Sequence, residues 1–166
     1  MIKKIPFGRP EAFNVVVEVA AGGSKKYAYD GEIGAIKLSR VLYDGLKFPF
    51  NYGFVAATEN YDGGHLDAFI FSTHPLMAGM VAQCRAVGML QLIDHGKPDH
   101  KILAVPLAEN RLDRLQDIGD VPIGDKQKIL DFYRAAASQW DRSIQIEGFA
   151  DKIAAKKELL RTLEFD

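Results

Sequence analysis

Two short acidic turns carry the residues of this sequence that are best suited to chemistry. The first spans residues 62–67 with the sequence DGGHLD and the second spans residues 94–99 with the sequence DHGKPD, so each carries two carboxylates five positions apart. Carboxylates held a few ångströms apart repel by roughly a few kcal/mol at a moderate effective dielectric, so such turns need protons, basic partners or a bound cation. Oxygen ligands without thiols or paired histidines favour Mg²⁺ or Mn²⁺ over zinc. An Asp-Gly turn also commonly closes a hairpin in solvent, which is the more frequent situation for a single turn.

Basic side chains lie in the same part of the sequence as these turns. Lys26, Arg40 and Lys101 fall in or at the ends of predicted strands, and acids and bases mixed in this way suit metal ions that bridge a phosphate-rich ligand. Glu18 interrupts a valine-rich strand, and since burying an unpaired carboxylate is costly, it either faces water or lies in a polar site. Taken singly, each residue is more often part of a solvated ion pair of little energetic value.

The elements that must position these residues are mostly strands. Short, turn-punctuated, β-branched segments predict strands over residues 13–20, 25–30, 35–39, 52–58, 68–72, 81–93 and 101–106, a spacing typical of a small barrel or sandwich. Helical intervals of apolar residues predict helices over 122–140 and 150–163, with Pro122 in a first helical turn. We therefore expect an α+β, mainly β class, with a closed or nearly closed β-barrel, flanking C-terminal helices and a single domain over 1–166.

Composition narrows the function classes. The chain has 166 residues, 48% of them hydrophobic and 26% charged, with a net charge of -1, and the lack of a basic block argues against nucleic-acid binding. The single cysteine, Cys84, cannot form an internal disulfide, which fits a reducing compartment. No apolar run has the length of a membrane span and the first residues do not form a signal peptide, so we expect a cytoplasmic protein.

An ordered series of short segments along nearly the whole chain is familiar from one enzyme family. The segments are Glu18, residues 26–27 (KY), Arg40, residues 48–53 (FPFNYG), Asp62 with Gly63, Asp67, residues 85–88 (RAVG), Asp94, residues 99–101 (DHK), residues 105–106 (VP) and residues 147–149 (EGF). In this order and near this spacing they make the sequence resemble the soluble family I inorganic pyrophosphatases. No single segment is specific, but the ordered set is.

The resemblance implies a fold, a reaction and a role for each matching residue. It implies an OB-like five-stranded β-barrel with flanking helices, Mg²⁺-dependent (or Mn²⁺-dependent) hydrolysis of pyrophosphate to two phosphates, and a homo-oligomer, commonly a hexamer. The metal would activate the attacking water and cationic groups would take up charge on the leaving phosphate. The implied metal ligands are Asp62, Asp67, Asp94 and Asp99, supported by Glu18; the implied phosphate-binding residues are Lys26, Arg40, Tyr52 and Lys101; and the implied catalytic group is Asp62, Asp67, Lys26 and Arg40.

Departures from the family pattern predict a weakened enzyme. The family's central turn reads Asp-Gly-Asp-Pro-x-Asp, and its middle acid, the candidate general base, is Gly64 here. A glutamate of the second strand is Ala28, a tyrosine before the proline is Phe48, and a Tyr-Lys pair of the long helix falls within the alanines 135–137. Loss of a positioned general base typically costs about 100- to 10,000-fold in rate.

Two alternatives to a weak pyrophosphatase follow from these departures. The chain could be a paralogue that hydrolyses another small diphosphate or a phosphate ester, since the substitutions open space, or a phosphate- or metal-binding protein without catalysis. His65, beside the vacated acid position, could accept the proton because imidazole titrates near neutrality. An exposed turn residue is the more frequent role of a loop histidine and the one we expect here.

Overall fold

The computed structural model describes residues 2–163, in which strands dominate. The strands are β1 (Gly8–Arg9), β2 (Ala12–Val19), β3 (Lys25–Asp30), β4 (Ala35–Val41), β5 (Asn51–Val55), β6 (Asp67–Ile70), β7 (Val81–Asp94), β8 (Lys97–Pro98), β9 (Lys101–Pro106) and β10 (Ile144–Ala150). The helices are α1 (Ile123–Trp140) and α2 (Lys152–Arg161), with short 3-10 turns at Ile2–Lys4, Asn110–Leu112 and Ile118–Asp120. No helix in the described residues is both long enough and apolar enough to cross a membrane.

Five strands close into a barrel in the order β2, β5, β6, β9 and β7. The circle is completed because β2 pairs with β5 through Val15–Val19 and also with β7, where Phe13 lies opposite Cys84. The pairing of β6 with β9 is parallel and the other four pairings are antiparallel. Gly53 makes the β2–β5 contact possible, since a Cβ there would lie 2.0 Å from the carbonyl oxygen of Val16. The expected five-stranded barrel with flanking helices is confirmed.

The two helices cover separate apolar clusters of the barrel. Helix α1 buries the four positions that its period predicts, Ile129, Phe132, Tyr133 and Ala136, against a cluster that includes Phe48 and Phe69. Helix α2 buries Ala155 and Leu159 in the second cluster, which contains Phe13 and Ile102. Burial of such side chains contributes roughly 1.5–3 kcal/mol each, so each helix is held by its apolar face.

Several expected element boundaries differ from the structure, and two of these differences have a clear physical cause. The strand expected over 52–58 ends at Val55, because the chain turns at Ala57 with a φ of 53°. The helix expected from residue 150 begins at Lys152, with Asp151 as its N-cap, because the preceding segment forms β10 on the edge of β7. A bulge near Gly148, which has a φ of 126°, interrupts the alternation that would have identified this strand.

The hairpin of β3 and β4 stands apart from the barrel as a two-stranded sheet. Its register places Lys26 opposite Arg40, with a bulge directly after this pair. Two of the three cations that the family resemblance assigns to phosphate binding, Lys26 and Arg40, therefore come from one cross-strand position.

Candidate active site

Both acidic turns meet at one cavity of about 110 Å³. Its charged lining consists of four carboxylates and three cationic side chains: Asp62, Asp67, Asp94, Asp99, Lys26, Lys101 and Arg142. Tyr52, Tyr133 and Trp140 add polar aromatic groups, and Phe48, Leu92, Phe132 and Ile144 add apolar wall. The structure thus brings together all of the sequence-predicted site residues except Arg40 and Glu18, which lie outside the lining.

A buried lysine between two aspartates forms the centre of the cavity wall. The parallel register of β6 and β9 sets Asp67 opposite Lys101, the first residue of each strand. The Nζ of Lys101 donates to Oδ2 of Asp67 at 2.6 Å and to Oδ1 of Asp99 at 2.9 Å, with the Lys101 side chain only 4% exposed. Burial favours the neutral form of Lys101, but the two carboxylates outweigh it and raise the pKa of this lysine. Burial also opposes ionisation of Asp67, and Lys101 and Lys26 nevertheless lower its pKa on balance.

Two tyrosines complete this wall. The hydroxyl of Tyr52, on β5, donates to the same Oδ2 of Asp67 at 2.6 Å, and burial raises the pKa of Tyr52 well above its ordinary value, so it stays a neutral donor. Tyr133 reaches the cavity from α1, and burial raises its pKa as well. Sequence reasoning identified Tyr133 as a buried helix position but not as a site residue; a hydroxyl on an otherwise apolar helix face was the available signal.

Glu18 lies in the bulge of β2 that is skipped by the β5 register. Glu18 is 6% exposed, and its Oε1 accepts a hydrogen bond from the backbone N–H of Tyr29 at 2.8 Å. Burial, followed by the charge of Asp67, raises the pKa of Glu18 to about 7. Of the two environments that the sequence allowed, the polar buried one is therefore correct, and the charge of Asp67 influences the ionisation of Glu18.

The two hairpin cations differ in their relation to the cavity. Lys26 lines it, and burial lowers its pKa although the nearby Asp67 carboxylate opposes this change. Arg40 is exposed and lies at the rim, with its guanidinium carbon 5.4 Å from the centroid of the Trp140 ring. The ammonium nitrogen of Lys26 lies 5.2 Å from the same ring.

The first acids of the two turns differ in exposure, because Asp62 is exposed whereas the Asp94 side chain is only 12% exposed, less than that of Asp99 at 20%. Asp62 is exposed, and its Oδ1 accepts from the backbone N–H of Gly64 at 2.9 Å. Asp94 has an ion pair with Arg142 at 3.3 Å and a contact with Nδ1 of His95 at 2.7 Å. Arg142 reaches Asp94 because Asp141 turns the chain after α1 in the left-handed conformation and Ile144 pairs with Asp94 in the sheet. No local pattern identifies Arg142, whose place depends on this long-range pairing.

Comparison with known proteins identifies the family of this chain. Residues 15–165 match the family described as inorganic pyrophosphatase. The inorganic pyrophosphatase of Thermus thermophilus is 40% identical over 163 residues, covering 95% of this chain and 93% of that protein, and that of Sulfolobus acidocaldarius is 35% identical over 90% and 88% of the two chains. The chain belongs to the inorganic pyrophosphatase family. The crystal structure of the Thermus thermophilus enzyme superposes with a TM-score of 0.91 over 98% of this chain and 96% of that chain. The structure of an inorganic pyrophosphatase from Coxiella burnetii, 31% identical, also superposes with a TM-score of 0.91, over 96% of this chain and 98% of that chain.

Membership in the inorganic pyrophosphatase family confirms the resemblance found in the sequence. It also confirms the predicted activity, that of an inorganic diphosphatase that hydrolyses pyrophosphate. The family also implies a divalent metal cofactor. The donor set fits such an ion, because four aspartates line one cavity and hard divalent cations prefer carboxylate oxygens. Lys101 uses one oxygen each of Asp67 and Asp99, which leaves the second oxygens as potential ligands. In the described arrangement no three His, Cys, Asp or Glu side chains are close enough together to hold a metal, so binding requires the carboxylates to converge further.

The turn of residues 62–67 lacks the middle acid of the family pattern, but the space around Gly64 would still accept a side chain. A Cβ on Gly64 would lie 3.2 Å from Oδ1 of Asp62, an exposed side chain that can move, and the backbone φ of Gly64 is outside the left-handed region. The neighbouring His65 is not the exposed turn residue that we expected. Its ring is half-buried, stacks on Phe54 with centroids 4.5 Å apart, and places Nδ1 2.7 Å from the carbonyl oxygen of Thr58. These contacts make His65 a packing residue outside the cavity lining.

Proposed function

We propose that this protein is a divalent-metal-dependent inorganic pyrophosphatase, with Mg²⁺ as the expected ion and Mn²⁺ as its nearest substitute. The observation that carries the proposal is the single cavity shared by both acidic turns and three cationic side chains. With four carboxylates against three cations, the lining offers no net attraction to a polyanion. Accompanying divalent cations supply that attraction, which agrees with a substrate that enters as a metal complex.

The aspartates of the two turns are the proposed metal ligands. Asp67 and Asp99 are already fixed by Lys101, and Asp62 and Asp94 face them from the cavity lining. Bound divalent ions lower the pKa of a coordinated water and take up charge on the phosphates. Glu18 supports this group because its own ionisation is coupled to the charge of Asp67.

The cationic side chains and Tyr52 are the proposed phosphate-binding groups. Lys26 and Arg142 line the cavity, Arg40 lies at its rim, and Lys101 and Tyr52 bring donors to its base. Donors aimed at a phosphate are most effective when held in place before the substrate arrives. Lys101 meets that condition, because its ammonium is fixed on Asp67 and Asp99 and keeps a third N–H for a phosphate oxygen.

The size of the cavity favours a small diphosphate over a bulky one. Sites for drug-sized organic ligands typically enclose about 300–1,000 Å³, whereas this cavity encloses about 110 Å³. A nucleotide or isoprenoid group would have to lie outside it. This supports inorganic pyrophosphate over the alternative of an organic diphosphate or phosphate ester, despite the small residues Gly64 and Ala28.

Phosphate release from pyrophosphate by the purified protein tests the proposal. We expect release that requires Mg²⁺, stops on chelation and exceeds release from nucleoside triphosphates and phosphate monoesters at equal concentration. The control is the Asp67→Asn protein, prepared in the same way. A wild-type rate no higher than that of Asp67→Asn overturns the proposal, and faster hydrolysis of an organic diphosphate favours the paralogue instead.

Three broader expectations stay predictions. These are a single domain over the whole chain, a cytoplasmic location, which the single buried Cys84 supports, and a homo-oligomer, expected to be a hexamer by family resemblance. Sedimentation of the purified protein would determine its assembly.

A further inference from the structure

The only tryptophan of this chain lies at the mouth of the cavity, between the helix and the hairpin. Trp140 is the last residue of α1 and lines the cavity. Its ring packs edge-on against Phe132, with centroids 6.1 Å apart, and Phe132 packs in turn on Phe48. The indole is thus anchored on the apolar wall while its ring reaches the charged part of the site.

Two cationic side chains, Lys26 and Arg40, lie close to the Trp140 ring. Lys26 and Arg40 are direct register partners across the β3–β4 hairpin, and like charges in such facing positions destabilise a strand pair. Both side chains lie within cation–π distance of Trp140, the ammonium at 5.2 Å and the guanidinium carbon at 5.4 Å from the ring centroid. The negative face potential of an indole offsets the repulsion that would otherwise drive these two groups apart.

A pair of hydrogen bonds holds the hairpin against this end of the helix. The backbone N–H of Tyr43 donates to Oε1 of Gln139 at 3.0 Å, and Nε2 of Gln139 donates back to the carbonyl oxygen of Tyr43 at 2.8 Å. Gln139 is adjacent to Trp140, and Tyr43 follows closely after Arg40 in the chain. These two bonds between the Gln139 side chain and the Tyr43 backbone fix the helix end against the hairpin, which brings the ring close to the two cations.

The indole N–H makes no contribution of its own to this arrangement. It is shielded from solvent and has no hydrogen-bond acceptor among the described residues. A buried donor without a partner costs roughly 1–3 kcal/mol, so hydrogen bonding does not account for a tryptophan here. The contacts of the ring with two cations account for a tryptophan at this position.

We propose that Trp140 is a positioning residue for substrate: its ring holds Lys26 and Arg40 side by side so that both cations face the same diphosphate. This inference rests on the proposed function and adds to it a residue that the acidic turns do not reveal. It also explains how the site can bind phosphate where the long helix carries alanines at 135–137. With two cations already at the ring, the indole serves to organise charge and not to stack on a base.

Substitutions that separate ring, N–H and bulk test this role. We expect Trp140→Leu to raise KM for Mg-pyrophosphate about tenfold, with kcat changed much less, and Trp140→Phe to keep KM within about twofold of wild type. Phe50→Leu is the matched control, because it removes another aromatic with a cation over it, Lys128 at 5.9 Å, outside the cavity lining. An equal rise in KM for both Trp140 variants, or no rise in either, overturns the proposal.

A double-mutant cycle and tryptophan fluorescence give readouts that a structural role alone would not move. The double variant Trp140→Leu/Arg40→Met should raise KM by less than the product of the two single-variant increases, because each substitution disrupts the same arrangement of ring and cations. An increase equal to that product contradicts the proposal. Mg²⁺ with methylene diphosphonate, which is not hydrolysed, should change the emission of Trp140, the sole tryptophan. Binding of that analogue in calorimetry without an emission change also contradicts it. A wild-type protein that binds the analogue but releases no phosphate would refute the proposed function and leave this test intact.

Discussion

The wall of the cavity and its rim are built in different ways. The wall is centred on Tyr52, Asp67 and Lys101, where two hydrogen bonds of 2.6 Å converge on a single carboxylate oxygen. The rim consists of hairpin and helix-end residues that meet through looser contacts, such as the 5.2 Å separation of Lys26 from the Trp140 ring and the 3.3 Å ion pair of Arg142 with Asp94. The wall is therefore fixed before substrate arrives, whereas the rim can adjust to it.

This difference separates two kinds of function within one site. Groups held by buried hydrogen bonds stabilise a transition state without having to reorganise, so we assign chemistry to the wall. Groups held by exposed pairs and cation–π contacts contribute roughly 1 kcal/mol each, so we assign capture of the substrate to the rim. Wall substitutions should lower kcat and stability, and rim substitutions should raise KM.

The strongest test of the wall is Asp67→Asn. It removes a proposed metal ligand and leaves Lys101 buried with Asp99 alone, so we expect kcat to fall about 1,000-fold. Because breaking a buried pair typically costs about 3–5 kcal/mol, the free energy of unfolding should fall by about 3 kcal/mol, measured by urea denaturation in the presence of a chelator. Asp113→Asn, at an exposed aspartate outside the cavity, is the control. Loss of rate without loss of stability would show that the network contributes to chemistry alone.

The substitution Gly64→Asp tests whether the site lacks only the general base that the family carries at this position. The position accepts a side chain at the cost of moving the Asp62 carboxylate, so we expect kcat for Mg-pyrophosphate to rise about 100-fold. Gly64→Asn, which adds nearly the same volume without the charge, should give no such gain. An unchanged kcat in the aspartate variant would instead indicate that another group, in the wall or at the rim, already performs the proton transfer.

Glu18→Gln tests the electrostatic side of the wall through stability. The folded-state pKa of Glu18 is raised from 4.5 to about 7, so ionising this carboxyl opposes folding. The stability that the protonated Glu18 carboxyl contributes is fully present below pH 4.5 and is lost as the pH rises through 7. We expect the variant to match wild type at pH 4.5 and to exceed it by about 2 kcal/mol at pH 8, measured by urea denaturation with chelator.

Glutamine keeps the bond that Oε1 of Glu18 accepts from Tyr29, so the titration alone is removed. The control is Glu32→Gln at an exposed position of the hairpin turn. A difference between Glu18→Gln and wild type that is constant with pH would contradict a buried, titrating carboxyl.

The same division explains what the sequence could predict. Asp67 and Lys101 begin strands and Asp99 lies in the turn just before β9, and their spacing, together with the family resemblance, predicted both the barrel and the acids of the wall. Trp140 and Arg142 were missed as site residues because their positions depend on where α1 ends and on the register of β10 against β7. His65 was misjudged for a related reason, since the stacking partner Phe54 and the acceptor Thr58 are set by the turn at Ala57 and not by sequence pattern.

Arg142→Gln is the smallest and most discriminating test of the rim. Arg142 is partly exposed and pairs with Asp94 at 3.3 Å, so its loss should raise KM for Mg-pyrophosphate about fivefold and leave kcat and the free energy of unfolding nearly unchanged. Arg134→Gln is the matched control, because Arg134 also forms an exposed ion pair at 3.4 Å, with Asp131, but lies outside the cavity. A fall in kcat with constant KM would place Arg142 with the wall, since a cation that acts only in the transition state must be held as firmly as Lys101.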